Sequence, residues 1–306
     1  MRAAVLHQAG GAPEVGEFQD PEAAPGQVVV EVAAAGLNPV DLLLASGAMG
    51  SPQVPAVVGR EGVGALPDGR RVYFNSPVAP FGSWAPRSVV DPQRAFLVPD
   101  GLSDELAVTM GIAGLAAWLP LVVHARVGAG ERVLVLGATG VVGQIAVQAA
   151  KILGAGRVVG AGRNADALER VTALGADATV VIGGGEDAQA LKAEAQDGYD
   201  VVIDTVYGAP VVAAFDATAP GARVVTIGTG AGDATIPFRA LQGRSHTGHG
   251  NQFASPEVQR DAYAKLTEHA ASGEIVVEIE RFALDRAEQA WHAQAAGPHH
   301  KLVVIP

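Results

Sequence analysis

Val133-Leu134-Val135-Leu136-Gly137-Ala138-Thr139-Gly140-Val141-Val142-Gly143, running on through Gln144 to Leu153, is the stretch that decides the reading of this chain. An apolar, β-branched run stops at a glycine, two more glycines follow at three-residue spacing, and an apolar helical pattern opens at once. Strand, glycine turn and helix in that order are what holding a dinucleotide pyrophosphate requires. Gly137 permits the tight turn, Gly140 lets the backbone approach the phosphates without a Cβ, and Gly143 lets the helix press on the strand. Ala138, Thr139, Val141 and Val142 complete the turn, where the helix N-terminus offers N–H groups to the anion. Glycines also mark ordinary strand–helix turns, so the context on both sides carries the reading.

Downstream, apolar strands are expected at 133–136, 158–161, 179–182, 201–203 and 223–227, with helices at 141–153, 166–174, 188–195 and 209–217. That alternation predicts a parallel sheet covered on both faces. A dinucleotide reader handles the adenosine ribose at the end of its second strand, where an acid favours a free 2′-OH and a cation a 2′-phosphate. Here the chain reads Val158-Val159-Gly160-Ala161-Gly162-Arg163-Asn164, with no carboxylate before Asp166. Arg163 can pair bidentately with a phosphate and Asn164 can add a hydrogen bond, which points to NADPH rather than NADH. The blander reading of Arg163 is a solvated loop arginine. Asp204 closes the fourth strand and is expected among the cofactor contacts, and Gly228-Thr229-Gly230 follow the fifth, where they are expected to wall the nicotinamide side.

Residues 1 to about 100 read as short strands divided by Pro25-Gly26 and Asp68-Gly69, suggesting a β-barrel or sandwich. One short helix is expected after Asn38-Pro39, with Asn38 as cap, and another from Ser103. The tail predicts a helix at 257–271, a strand at 275–282, a helix at 285–295 and a last strand at 302–305. At 306 residues and 49% hydrophobic, the chain can bury a large core and is expected to form two domains. A net charge of −11 without a Lys/Arg run disfavours nucleic acid and anionic membranes as partners. The absence of cysteine excludes disulfides, thiolate nucleophiles and cysteine-ligated zinc. The N-terminal apolar run is too short for a secretory signal, and the longest apolar stretch, broken by Pro120, is too short to span a bilayer. A soluble, cytoplasmic protein is expected.

The order of these pieces resembles the medium-chain dehydrogenase/reductase superfamily, in its zinc-less quinone oxidoreductase (zeta-crystallin-like) branch. The resemblance spans essentially the whole chain: Ala35-Gly36-Leu37-Asn38-Pro39-Val40-Asp41, Val58-Gly59-Arg60-Glu61-Gly62-Val63-Gly64, Asp68-Gly69-Arg70-Arg71-Val72-Tyr73 and Gly82-Ser83-Trp84-Ala85. The glycine turn, Leu174-Gly175-Ala176-Asp177, Asp200-Val201-Val202-Ile203-Asp204 and the ending Lys301-Leu302-Val303-Val304-Ile305-Pro306 continue it. It implies an α/β fold: a GroES-like β-barrel domain (residues 1–117 and 252–306) and a Rossmann domain (118–251), with the active site in the cleft between them. It also implies NADPH-dependent, zinc-independent hydride transfer to quinones or α,β-unsaturated carbonyls, often in a homodimer.

Three departures bear on the chemistry. The Tyr and Arg that commonly follow the Asn-Pro-Val-Asp motif are Leu43 and Ala45, and a Thr that usually holds the carboxamide is Ala116. By resemblance Asn38 lies beside the nicotinamide as a donor to the acceptor's oxygen, and Asp41 organises that donor or a water. Tyr73 is a weaker acid candidate that packing would also explain. Glu61 is read as satisfying loop backbone groups, Arg60 as a contact for an acidic substrate, and Lys301 as near the cofactor phosphate. His246 and His249 have metal-like spacing but no third ligand, so no metal is expected. A short-chain reductase is disfavoured because the glycine turn lies mid-chain and no Tyr has Lys four residues later. A competing function is an NADPH-binding sensor or structural protein without turnover, suggested by Leu43, Ala45 and Ala116.

Overall fold

The computed structural model describes residues 1–306 as two compact units. The first comprises residues 1–113, 256–272 and 277–306; the second comprises 114–255 and 273–276. The boundaries drawn from sequence, after 117 and 251, thus differ by four residues at each crossing. Residues 273–276 join the second unit because Val276 exchanges two hydrogen bonds with the Gln148 side chain, N–H to Oε1 at 2.9 Å and C=O from Nε2 at 3.0 Å.

The first unit opens with β1 (Arg2–Leu6), β2 (Glu14–Glu17), β3 (Val28–Leu37), α1 (Pro39–Ser46), β4 (Ala56–Val57), β5 (Glu61–Ala65), β6 (Arg71–Asn75), β7 (Arg87–Val90), β8 (Ala95–Leu97) and α2 (Asp104–Thr109). Ser103 caps α2 by accepting from the Leu106 N–H, as its position predicts. Glycines let the strands approach closely: a Cβ on Gly64 would lie 2.1 Å from the Glu31 carbonyl oxygen on the neighbouring strand.

α3 (Ile112–Leu119) leads into the second unit and widens to a π-helical turn over Pro120–Ala125, where Pro120 has no N–H to offer the α ladder. There follow β9 (Arg132–Leu136), α4 (Val141–Ile152), β10 (Arg157–Gly162), α5 (Ala165–Ala173), β11 (Ala178–Val181) and α6 (Asp187–Glu194). β12 (Tyr199–Asp204), α7 (Gly208–Phe215), β13 (Thr218–Thr226), α8 (Phe238–Leu241) and β14 (Ser245–Gly248) complete it. All five pairings are parallel, in the order β11-β10-β9-β12-β13-β14. This is the doubly wound order, with its switch point between β9 and β12. The central strands are apolar on both faces, as burial on both sides demands, and Leu134, Leu136, Val202 and Val224 lie fully inside. β14 is a short polar edge strand with no hydrophobic pattern to announce it.

The tail returns to the first unit as α9 (Pro256–Ala271), β15 (Ile279–Ala283), α10 (Ala287–Ala295) and β16 (Lys301–Ile305). β15 starts four residues later than expected from 275–282, since Val276 is engaged by Gln148 rather than by a strand. The path β15-β16-β3-β5-β6-β8, with β7 also on β3, makes a seven-stranded sheet, and β2-β1-β4 makes a second, antiparallel one. Antiparallel register sets Leu302 opposite Leu37 and Val304 opposite Ala35, so the tail completes a core that residues 1–113 leave open. There Trp84 meets Trp291 edge to face at 5.9 Å.

Candidate functional site

The glycine turn stands at the carboxyl end of β9, beside the switch point. Gly137 adopts φ +71°, and a Cβ there would lie 2.1 Å from Thr205 Oγ1. Gly143 needs its missing side chain for the reason read from sequence: a Cβ would sit 2.3 Å from the Gly137 carbonyl oxygen. Gly140 differs from both. Its Cβ would meet nothing closer than 3.6 Å, so the fold does not demand glycine there, and the space it leaves lies at the opening of α4. The first helical bond is Gln144 N–H to Gly140 C=O at 2.9 Å, leaving the amides of Val141, Val142 and Gly143 without an intrahelical acceptor. Ala138 is fully buried with its N–H given to the Ala161 carbonyl at 2.9 Å, so its amide serves the fold. Thr139 is buried, and its methyl packs where a Cβ on Gly162 would fall. An open Cβ position in front of free helix amides is the cradle a pyrophosphate needs, and the residues fit that group.

At the end of β10, Arg163 is exposed, directly after buried Gly162, and makes no ion pair or hydrogen bond. Asn164 caps α5, its Oδ1 accepting from the Ala167 N–H at 3.0 Å, so only its NH₂ remains for a ligand.

Asp204 corrects its expected role as a cofactor contact. It is fully buried, with Oδ1 taking the N–H groups of Val206 (3.0 Å) and Tyr207 (2.9 Å) and Oδ2 taking the Thr226 hydroxyl at 2.8 Å. Burial raises its carboxyl above the usual carboxylate range, against the pull of those donors. The carboxylate shapes the loop after β12, where Tyr207 is held at φ +60° and ψ −148°, a strained geometry for any residue but glycine. Gly228 closes against that loop, since a Cβ would lie 2.3 Å from the Thr205 carbonyl, and the Thr229 carbonyl accepts from the Gly232 N–H. Three loops, 137–140, 205–207 and 228–232, thus meet at the carboxyl edge of the sheet.

In the first unit, Asn38 and Asp41 sit at the start of α1, both buried. Asp41 Oδ2 accepts the Asn38 N–H at 2.9 Å and Oδ1 accepts the Arg60 N–H at 3.0 Å. Burial, reinforced by the nearby Glu61 charge, pushes its carboxyl up to about 7 despite the Asn38 amide, Lys301 and Arg60. Asn38 is the N-cap of α1, as expected, with Asp41 closing the capping box from inside the helix, and the Asn38 side chain makes two further contacts. Its Oδ1 accepts from Lys301 Nζ at 2.7 Å and its Nδ2 donates to Glu61 Oε1 at 2.7 Å.

Lys301, expected near a cofactor phosphate, is instead buried and paired with Glu61 at 3.0 Å, because it follows directly from the Leu302–Leu37 register. Glu61 is fully buried and also accepts from the Tyr73 hydroxyl at 3.0 Å and the Ile112 N–H at 2.6 Å. The last contact is the backbone role read for it from sequence; the other three were not foreseen. Glycines make room for the cluster: a Cβ on Gly36 would lie 2.3 Å from Glu61 Oε1, and one on Gly111 2.1 Å from the Tyr73 ring. Tyr73 stacks on Tyr263 at 4.7 Å, and burial with the Glu61 charge raises its phenol well above the ordinary range. Tyr73 is packing and a donor to Glu61, not an acid for ligand. Lys301 opening an otherwise apolar final run was the one signal of the pair.

Zinc does not fit. The chain has no cysteine and no cluster of three His, Asp or Glu that could hold a metal. His246 Nε2 is 2.9 Å from Thr226 Oγ1, while His249 Nδ1 is 3.1 Å from His124 Nε2. No helix is long and apolar enough to cross a membrane.

Comparison with known proteins matches residues 24–73 to the alcohol dehydrogenase GroES-like domain and residues 141–271 to the zinc-binding dehydrogenase family. The quinone oxidoreductase of Thermus thermophilus, solved also in complex with NADPH, is 31% identical, with 100% of both chains covered and a TM-score of 0.82. A quinone oxidoreductase of Pseudomonas syringae pv. Tomato is 26% identical over 100% of this chain and 99% of that one, with a TM-score of 0.89. A phenolphthiocerol/phthiocerol polyketide synthase of Mycobacterium tuberculosis is 32% identical over 91% of this chain, which spans only 13% of that protein. The first unit is thus a GroES-like domain and the second a Rossmann domain. The chain belongs to the medium-chain dehydrogenase/reductase superfamily, in its zinc-less quinone oxidoreductase branch, and is an oxidoreductase of that family.

Proposed function

We propose that this chain is an NADPH-dependent, zinc-independent reductase of quinones or α,β-unsaturated carbonyls. The observation that carries the reading is Arg163: an unpaired guanidinium at the end of β10, with no carboxylate beside it to receive a ribose hydroxyl. In this reading Gly137, Gly140 and Gly143 with the amides of Val141 and Val142 hold the pyrophosphate, and Ala138 and Thr139 support the turn. Arg163 and the Asn164 NH₂, set by Gly162, receive the 2′-phosphate. Gly228 and Thr229 wall the nicotinamide side, and Asp204 fixes the loop between them and the turn.

When bound, the reduced nicotinamide supplies a hydride, and the acceptor's oxygen gathers negative charge that a donor must meet. Asn38 is the donor of choice. Lys301 can only donate and the Glu61 carboxylate only accepts, so the amide has one orientation and one Nδ2 hydrogen left over for the acceptor. Asp41, both of whose oxygens take backbone amides, positions Asn38 rather than moving a proton. With Leu43 in place of a tyrosine, the final proton comes from solvent. Similarity to a polyketide synthase supports acyl-type activated alkenes beside quinones. A homodimer in the cytoplasm, acting on small molecules and not on nucleic acid or membranes, completes the proposal.

A second reading, an NADPH-binding sensor or structural protein without turnover, is favoured by Leu43, Ala45 and Ala116. NADPH oxidation against a panel of 1,4-quinones, 2-enals and 2-enones separates the two: tight NADPH binding with no turnover on any acceptor overturns the reductase. Arg163→Asp is expected to weaken NADPH by roughly tenfold or more and to leave NADH nearly unchanged. Equal losses would mean that the phosphate is read elsewhere.

A further inference from the structure

At the carboxyl edge of the Rossmann sheet, β12, β13 and β14 are joined by one line of side-chain hydrogen bonds. The Thr226 hydroxyl donates to Asp204 Oδ2 at 2.8 Å, and Thr226 Oγ1 lies 2.9 Å from His246 Nε2. A hydroxyl has one proton to give, and an ionised carboxylate can only accept. Thr226 therefore gives its proton to Asp204, and His246 must present an Nε2–H to Thr226. That fixes the tautomer of the half-buried imidazole, whose Nδ1 has no hydrogen-bond partner in the chain.

The line ends on a stretch that is under strain. Asp204 Oδ1 holds the Val206 and Tyr207 amides at 3.0 and 2.9 Å, and Tyr207 stands at φ +60° and ψ −148°. Such a geometry is costly for a residue with a Cβ and persists only where neighbours impose it. The Tyr207 ring lies over the His246 ring, with 6.2 Å between centroids and 21° between planes, so both ends of the line hold the same loop. Thr205, which opens the loop, touches the pyrophosphate turn. Its hydroxyl donates to the Leu136 carbonyl at 2.9 Å and occupies the space a Cβ on Gly137 would take. Relaxing the loop would therefore move a wall of the turn.

Acid enters this line at His246. Of the elements packed on the imidazole, β12 presents Asp204, β13 Thr226, α7 Phe215 and the loop the Tyr207 phenol, and Asp204 is the only charge acting on it. His246 in turn acts on Asp204. Burial raises the carboxyl and lowers the imidazole, so a shared proton favours the uncharged pair over the ion pair. The transfer balances without moving a heavy atom: a solvent proton binds Nδ1, the Nε2 proton passes to Thr226, and the Thr226 proton passes to Asp204. Asp204 is then a neutral acid, a weaker acceptor for the two amides that hold Tyr207 in place.

We propose that Thr226 and His246 are positioning residues for the cofactor: through Asp204 they fix loop 205–207 against the pyrophosphate turn, and one proton taken up at His246 releases it, so that acid weakens dinucleotide binding. The inference rests on the dinucleotide reading of the turn and deepens it.

Fluorescence titration of the full chain with NADH tests it, because NADH lacks the 2′-phosphate, which itself titrates at about pH 6. The dissociation constant is expected to be about tenfold larger at pH 5.5 than at pH 8. His246→Phe keeps a ring between Tyr207 and Phe215 but takes no proton, and should bring that ratio near one. At pH 8, Thr226→Val should weaken NADH about tenfold, and Thr226→Ser, which restores the hydroxyl, should bind as the parent chain does. Nitrogen-15 spectra of histidine-labelled protein give a readout without cofactor: His246 should pass from the Nε2–H to the Nδ1–H tautomer as pH falls. A ratio near one in the parent chain, a ratio unchanged in His246→Phe, or a His246 imidazolium in acid overturns the proposal. NADH binding indifferent to pH and to Thr226 leaves the cofactor reading standing and removes only the proton-sensitive hold on the loop. Failure of both NADH and NADPH to bind at any pH overturns the two together.

Discussion

At the scale of single residues, the proposed function divides the side chains around Asn38 into the one that would meet the acceptor and those that hold it in place. Asp41 belongs to the second group and leaves a mark on stability. Its carboxyl is pushed from the ordinary 3.8 to about 7 in the folded chain, so between those values the folded state keeps a proton that the unfolded state has released. Stability due to this group therefore falls as pH rises from about 4 to about 7 and carries its full penalty above that. Asp41→Asn removes the titration, although an amide oxygen replaces only one of two acceptors and leaves either the Asn38 or the Arg60 N–H poorly served. The drop in urea midpoint between pH 5 and pH 8 is expected to be smaller in Asp41→Asn than in the parent chain. An equal drop would assign the slope to other groups.

At the scale of elements, the opening of α4 separates what the fold needs from what a ligand needs. Gly143 and Gly140 look alike in the sequence, yet only a Cβ at Gly143 collides with the turn, at 2.3 Å. Gly140→Ala is expected to leave the melting temperature within about two degrees and to weaken NADPH by about tenfold or more, because its methyl takes the pyrophosphate's space. Gly143→Val should lose both, since the helix must move off the strand. A Gly140→Ala chain that binds NADPH normally would remove the turn from the cofactor site. β16 makes a second case. Lys301→Met leaves the Glu61 charge buried without its cation and should cost about 3–5 kcal/mol, read by denaturant titration. Adding Glu61→Gln should recover part of the loss, because a neutral amide tolerates burial better than a lone carboxylate.

At the scale of the whole molecule, NADPH at about 100 times its dissociation constant should add about 2.7 kcal/mol of stability, seen as a rise in melting temperature, with NADH at the same concentration adding less. Equal shifts would count against Arg163. What was legible in the sequence was local: strand, turn and helix at residues 133–153, the Ser103 cap, and Arg163 after a strand without an acid. Each is specified within a few residues. The Asn38 environment was not, because Glu61 and Lys301 stand 240 positions apart and meet only through antiparallel register. Asp204 was misjudged for a related reason, since a carboxylate at a strand end looks the same whether it faces ligand or its own loop. That long-range pairing also orders events during synthesis. The Rossmann unit is nearly continuous, from 114 to 255, and can close as soon as it emerges. The GroES-like unit must wait: until Lys301 leaves the ribosome, Glu61 has no cation and β3 lacks a neighbour strand, so residues 1–113 complete their core only after the Rossmann unit has been made.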